Sequence, residues 1–177
     1  MTGQQPFITA ADGKRQFACS AVAVLVFLVN KKEEVLLLAH PKRGGGWEVV
    51  NGALEAGETV LAGALRETRE EAGESVRVRP LGTVHAYTFR YDEKVEYMVT
   101  VGYLMAYKGG EVEPGDDMRG SEHRWWGLEE LAEEDVELIV PEQRWLIERA
   151  VELYRLWKER EIDLQPDLLP TRGVKAK

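Results

Sequence analysis

Apolar and polar positions alternate along this chain in a way that predicts mostly strands, with one helix in the middle and one near the end. Residues 18–29 (ACSAVAVLVFLV) and 35–39 are apolar runs separated by Asn30-Lys31-Lys32-Glu33, which reads as a β-hairpin with a polar turn. The first run is too short to span a bilayer, follows a polar stretch and lacks a small-residue cleavage pattern, so a signal peptide is the poorer reading. A short strand is expected at 47–50, and two long β-rich runs at 75–90 and 95–107, antiparallel and joined by a turn at Asp92-Glu93-Lys94. An acidic, glycine-containing loop fills 108–121, a strand 122–127, and a helical turn 128–131. Pro141 opens a last helix whose apolar face includes Trp145, Ile147, Ala150, Val151, Tyr154 and Trp157. The pattern implies an α/β protein with a central mixed sheet between helices, one domain over residues 1–162, and a loose tail over 163–177.

Chemistry concentrates in residues 52–74, GALEAGETVLAGALRETREEAGE. At 100° per residue, Glu67, Glu70 and Glu71 project within an arc of roughly 100°, beside a stripe of Val60, Leu61, Ala64, Leu65, Thr68 and Ala72 that should face a core. Ala62, Arg66 and Arg69 fall towards water on that wheel. Thr59 is the expected N-cap and Gly73 the expected stop, giving a helix of roughly 13 to 15 residues. Gly63 would supply clearance for anions beside the carboxylates. A Glu-rich helix face is ordinarily a solvated surface. Here, however, three carboxylates sit on the rim of a buried stripe, where mutual repulsion favours a bound cation.

The spacing of Gly52, Glu58, Arg66, Glu67, Glu70, Glu71 and Gly73 matches G-x5-E-x7-R-E-x-x-E-E-x-G, and so resembles the signature of the Nudix hydrolase family. Two positions depart from it, Thr68 and Glu74 standing where the family prefers apolar residues. Val50-Asn51-Gly52 also replaces the frequent Pro-Gly-Gly approach. The resemblance implies a Nudix-like α/β/α sandwich that hydrolyses a diphosphate bond in a nucleoside diphosphate joined to another group. It implies Mg²⁺ or Mn²⁺ held by Glu67, Glu70, Glu71 and a main-chain carbonyl of Asn51 or Gly52, with Arg66 pairing to Glu58. In several groups of the family a later glutamate is metal ligand or base, and Glu122, on the expected strand, is the preferred candidate here. Such an ion neutralises the phosphates and acidifies a bound water.

Composition sharpens the picture. The net charge of −8 and the absence of a basic stripe argue against duplex nucleic acid as partner, but not against a phosphate substrate bound through cations. Cys19 alone gives no disulfide framework, which fits a reducing cytoplasm, and a small buried residue is expected there. No membrane partner is indicated, and a homodimer remains open. In the segment from His40 to Trp47, Arg43 or Lys42 could reach a phosphate over the flexible Gly44-Gly45-Gly46; a solvated connection is equally compatible. Trp125 and Trp126 must point to opposite sheet faces, so one could stack a base, although both could equally pack under helices. Tyr91 lies where some dinucleoside polyphosphate hydrolases of the family carry a substrate-binding tyrosine, and the proline common in ADP-ribose hydrolases is absent between Leu81 and Glu113. Dinucleoside polyphosphates and nucleoside triphosphates are the first substrate expectation, ADP-ribose or nucleotide sugars the alternative. A non-catalytic nucleotide-binding module is the rival, though this chain keeps every box glutamate. An isoprenoid diphosphate isomerase needs a cysteine near the box, and Cys19 is 33 residues before Gly52.

Overall fold

A computed structural model describes residues 5–42, 44–134, 136–141 and 143–160. The strands are β1 (Phe7–Thr9), β2 (Gln16–Ala18), β3 (Ala21–Val29), β4 (Val35–Ala39), β5 (Trp47–Glu48), β6 (Val50–Ala53), β7 (Arg77–Phe89), β8 (Met98–Gly109) and β9 (His123–Trp126). The α-helices are α1 (Val60–Glu67), α2 (Leu128–Glu133) and α3 (Gln143–Trp157). The expected order of elements is present, and β1 and β2 add a separate two-stranded sheet within the polar stretch before the first apolar run.

β3 organises the seven-stranded sheet. Its run AVAVLVFLV is apolar on both faces because both faces are covered. Along one side it pairs in parallel with β8, from Ala21↔Met98 to Val29↔Ala106. Its other partners are antiparallel: β6, from Ala23↔Ala53 to Val26↔Val50, and β4 at Val29↔Val35 only. The expected hairpin therefore exists, but its strands part after one pair, and β4 goes on to pair with β5 and β9. β7 runs antiparallel to β8 through three register shifts. The sheet is thus mixed.

Alternation sorts the side chains into two cores. Val24, Val26, Leu28, Leu36, Leu38 and Met105 face α1, with Ala64 and Ala72 packed on them. Leu25, Phe27, Val29, Leu37 and Leu104 face α3, which contributes Leu146, Ile147, Ala150 and Tyr154. This is the α/β/α sandwich the pattern implies.

Some expectations change. Trp145 does not join the buried face of α3; it is 44% exposed. Cys19 is exposed, not buried, at the end of the small β1–β2 sheet. Trp125 and Trp126 do point to opposite faces, but Trp126 is buried in the α3-side core and Trp125 packs on the α1-side core against Tyr107. The tail expected from residue 163, and the domain end at 162, lie outside the described residues. Among those described, no helix is long and apolar enough to cross a membrane.

Candidate active site

The acidic helix starts as the sequence suggests. Thr59 is extended (φ −84°, ψ 159°) and its hydroxyl accepts from the Ala62 N–H at 3.2 Å, a side-chain N-cap. The expected length is also met, but not as one continuous α-helix. After Glu67 the chain widens into a π-helical turn over Thr68–Ala72, where backbone bonds run five residues apart. Gly73 stops it at φ 124°, a conformation that disfavours a side chain. The loop at 111–113 closes onto this end, with Glu113 N–H donating to Ala72 O at 2.9 Å.

The turn divides the three glutamates. Glu67 and Glu71 are buried, 8% and 7% exposed, whereas the Glu70 side chain stays about one-third exposed. Arg66, expected towards water, instead lies beneath them with its side chain 18% exposed. Its Nε donates to Glu58 Oε1 at 2.9 Å and Nη2 to Glu58 Oε2 at 3.0 Å. Nη1 reaches Glu67 Oε1 and Glu70 Oε2, both at 2.8 Å, and Nη2 also donates to Ala53 O at 3.0 Å. One guanidinium therefore ties the helix to the loop before it and to β6. Arg66 holds the Glu58 carboxyl below its ordinary range, and these carboxylates in turn raise Arg66.

Glu71 is the strained group of the site. Its Oε2 accepts the Asn51 N–H at 2.8 Å, yet burial, with Glu67, Asp117 and Glu48 nearby, pushes its pKa up to about 9. Glu67 is also raised, by burial first, against the lowering effect of Arg66. Glu48 is 4% exposed in β5, with His40 Nε2 3.9 Å from its Oε1. Sequence reasoning missed Glu48. The signal was there, a charged residue inside the apolar strand that leads into the box. Asp117 could not be told apart from Glu111, Glu113 and Asp116 in the acidic loop; only the fold brings it towards Glu71.

The donor chemistry fits a hard divalent cation: carboxylate oxygens only, crowded enough to repel, next to a glycine strand. A Cβ on Gly52 would run into the Glu67 carboxylate, so the box glycine is what lets that carboxylate lie against β6. Among the described residues no three acidic, His or Cys side chains already converge as ligands, because Glu67 and Glu70 are turned onto Arg66 and Glu71 onto Asn51.

The remaining expected site residues divide. Glu122 lies just outside β9, exposed, and lines a separate cleft of about 720 Å³ with Trp47, Ser121, His123, Arg124, Trp126 and Glu134. Tyr91 sits in the β7–β8 turn, 65% exposed, 6.5 Å from the Phe89 ring. Arg43 lies outside the described residues. Gly63 gives clearance first to Leu54, whose Cδ2 a Cβ there would strike, and next to the Glu58 carboxylate, whose Oε2 would lie at 3.1 Å.

A family model described as "NUDIX domain" matches residues 20–148. The NAD-capped RNA hydrolase NudC of Vibrio parahaemolyticus is 33% identical over 122 residues, covering 66% of this chain and 41% of that protein. NudC of Vibrio cholerae is 33% identical over 119 residues, covering 66% and 39%. The chain thus spans less than half the length of these two curated relatives. A NUDIX-family hydrolase structure from Clostridium perfringens superposes with a TM-score of 0.60 at 20% identity, over 76% of this chain and 96% of that one, a likeness of fold.

Proposed function

The chain belongs to the Nudix family, and we propose that it is a divalent-metal-dependent hydrolase of a phosphoanhydride bond in a nucleoside diphosphate linked to a second group. The observation that carries this reading is the buried pair Glu67 and Glu71 beside Gly52, backed by Glu70, Glu48 and Asp117. Burying carboxylates together costs free energy, which a proton on Glu71 and Arg66 beside Glu67 offset in the metal-free protein and which a bound cation would offset in the proton's place. The metal itself, Mg²⁺ or Mn²⁺, would neutralise the substrate phosphates and acidify a water.

The chain's own residues do the rest. Glu67, Glu70 and Glu71, with a carbonyl of Asn51 or Gly52, would hold the ion. Arg66 fixes Glu67 and Glu70 on one side and Glu58 on the other, so the helix and the preceding loop present a single rigid wall. Asp117, in the loop that closes on the helix end, adds its negative charge to the field that raises Glu71, and we assign to it the proton of an attacking water. In this reading Asp117 takes the role expected of Glu122.

The names of the curated relatives favour a substrate whose two halves are both nucleotides, such as NAD, over a nucleotide sugar. The test is hydrolysis of a panel containing NAD, a dinucleoside tetraphosphate, ADP-ribose, UDP-glucose and a nucleoside triphosphate, with Mg²⁺ or Mn²⁺. Turnover of at least one member is expected, with Glu71→Gln lowering it by about 10²-fold or more. Undiminished turnover in Glu71→Gln would remove the assigned role. No turnover of any member would favour a nucleotide-binding module.

A further inference from the structure

The first two strands stand apart from the rest of the fold. Among the described residues β1 and β2 pair only with each other, and every residue in them is exposed. The arm they form is nonetheless firmly built. At its tip Ala10 N–H donates to Arg15 O at 2.8 Å, and Asp12 Oδ1 accepts the N–H groups of Lys14 and Arg15 at 2.9 and 3.3 Å. At its base Cys19 N–H donates to Pro6 O at 2.7 Å. Ile8 and Phe17 sit directly opposite each other, 61% and 47% exposed, and Phe7 is 48% exposed. A lone two-stranded hairpin is marginally stable in water, and one that shows three large apolar side chains calls for a surface to lie on.

The same chain offers that surface. β7 is the edge strand of the main sheet, and Tyr91, 6.5 Å from the Phe89 ring, and Trp145, 5.0 Å from the His85 ring, lie along it. Tyr91 and Trp145 with the three arm residues make five of the seven large hydrophobic side chains left exposed among the described residues, so exposed apolar surface is concentrated on these two features. Both lie at one end of the sheet. Ala21, which follows the arm, pairs with Met98, and Met98 with Phe89. Two strand steps of about 4.8 Å, roughly 10 Å in all, therefore separate the root of the arm from the end of β7. The arm does not cross that gap to its own β7, since all its strand residues stay exposed. Two copies set end to end about a two-fold axis can each lay the arm on the partner's β7, the isologous arrangement.

Charge favours the same occupant. In the arm Lys14 and Arg15 outnumber Asp12. In the turn after β7, Asp92, Glu93 and Glu96 outnumber Arg90 and Lys94, and on α3 Glu148 and Glu152 flank Arg149. A basic tip on an acidic rim attracts, and fixes which surface meets which. If each of the five side chains gives up about half of the roughly 150–250 Å² a large ring can bury, a pair covers about 1,000 Å², the lower limit for a specific interface. The pair is therefore a dissociable one.

We propose that the β1–β2 arm of one copy docks on the β7 end of a second, and the second's arm on the first, in a reciprocal dimer. The contact is independent of the hydrolase reading, since none of its residues belongs to the acidic site.

The test is sedimentation velocity of the full chain over a range of concentrations. The unchanged chain should pass from monomer to dimer. Ile8→Ser with Phe17→Ser, and separately Tyr91→Ser with Trp145→Ser, should each weaken the dimer at least tenfold, because each variant loses both contacts. Mixed in equal amounts, the two variants keep one whole contact, the unchanged arm of one on the unchanged β7 of the other. The mixture should therefore associate at least tenfold more tightly than either variant alone. All four positions are exposed, and unchanged circular dichroism spectra check the folds. A second set carries the test should a serine variant misfold: Lys14→Glu with Arg15→Glu should weaken the dimer at least threefold, and adding Glu93→Lys with Glu96→Lys should restore it. A chain that stays monomeric up to roughly 1 mM, the weak end of specific association, would overturn the proposal. So would a dimer indifferent to the β7 variant, or a mixture no tighter than its components.

Discussion

Asp117 and Glu122 are five residues apart in an acidic stretch, and their chemistry separates only through the backbone between them. Glu122 was the expected partner of the box because a strand holds a side chain more rigidly than a loop. The structure leaves it at the mouth of β9, while the 3₁₀ turn Asp116–Met118, closed by Met118 N–H donating to Gly115 O, brings Asp117 towards Glu71. Gly115 has no room for a side chain, since a Cβ there would lie 2.6 Å from the Glu70 carbonyl, so the loop is pressed against the helix. On this geometry Asp117→Asn should lower turnover by about 10²-fold while Glu122→Gln changes it by less than about threefold, measured with saturating metal on the best member of the panel. Equal losses, or a larger loss for Glu122→Gln, would return the role to Glu122. The sequence made Arg66–Glu58 and the box carboxylates readable because their spacing is local. Asp117 was not readable that way, because its approach depends on a loop folding back across the 45 residues that separate it from Glu71.

The helix itself shows how far a periodic pattern reaches. Thr59 as N-cap and Gly73 as stop were both readable from residue type, and the length between them holds. The π turn was not, because a 3.6-residue wheel has no place for a widened turn, and it is this turn that separates Glu70 from Glu67 and Glu71. The same limit explains Arg66, placed towards water by the wheel and found bonded to three carboxylates. Gly73 anchors the end of the turn at φ 124°, with the Glu113 N and O 3.0 and 3.1 Å from where a Cβ would stand. Gly73→Ala therefore forces both a strained backbone and displacement of the 111–113 loop, at a cost of about 1–3 kcal/mol. For a chain of this size that is a fall in melting temperature of roughly 3–10 °C, against roughly 2–4 °C for Thr59→Ala, which removes a cap worth about 1 kcal/mol. Thermal melts of the two variants decide it; a neutral Gly73→Ala would mean the loop does not lean on the helix end.

Across the folded chain, the carboxylates set opposite slopes of stability against pH. Glu33, Glu58, Asp92 and Glu130 are held below their ordinary values by cations and N–H donors, Lys158 and Arg155 for Glu33, Arg66 for Glu58. Their contribution is present above the unfolded pKa and is lost as pH falls through the folded one. Glu71 acts the other way. Its folded value, about 9, lies above its ordinary value of 4.5, so the native state binds the extra proton over that whole window. The stability tied to this proton is complete below about 4.5 and drains away as pH rises towards 9, where a buried charge must be accepted. The net charge of −8 adds self-repulsion in the same direction. The metal-free protein should therefore melt at progressively lower temperature from pH 5 to pH 9, and Glu71→Gln, which has no proton to lose, should flatten that decline. Divalent metal reverses the sign, because it takes the place of the proton and binds better as the proton leaves. At about a hundred times its dissociation constant it would add about 2.7 kcal/mol, so the gain in melting temperature on adding Mg²⁺ or Mn²⁺ should be larger at pH 8 than at pH 6. Calorimetric melts at the two pH values, with and without metal, test this; a gain independent of pH, or one that survives in Glu71→Gln undiminished, would place the cation away from Glu71.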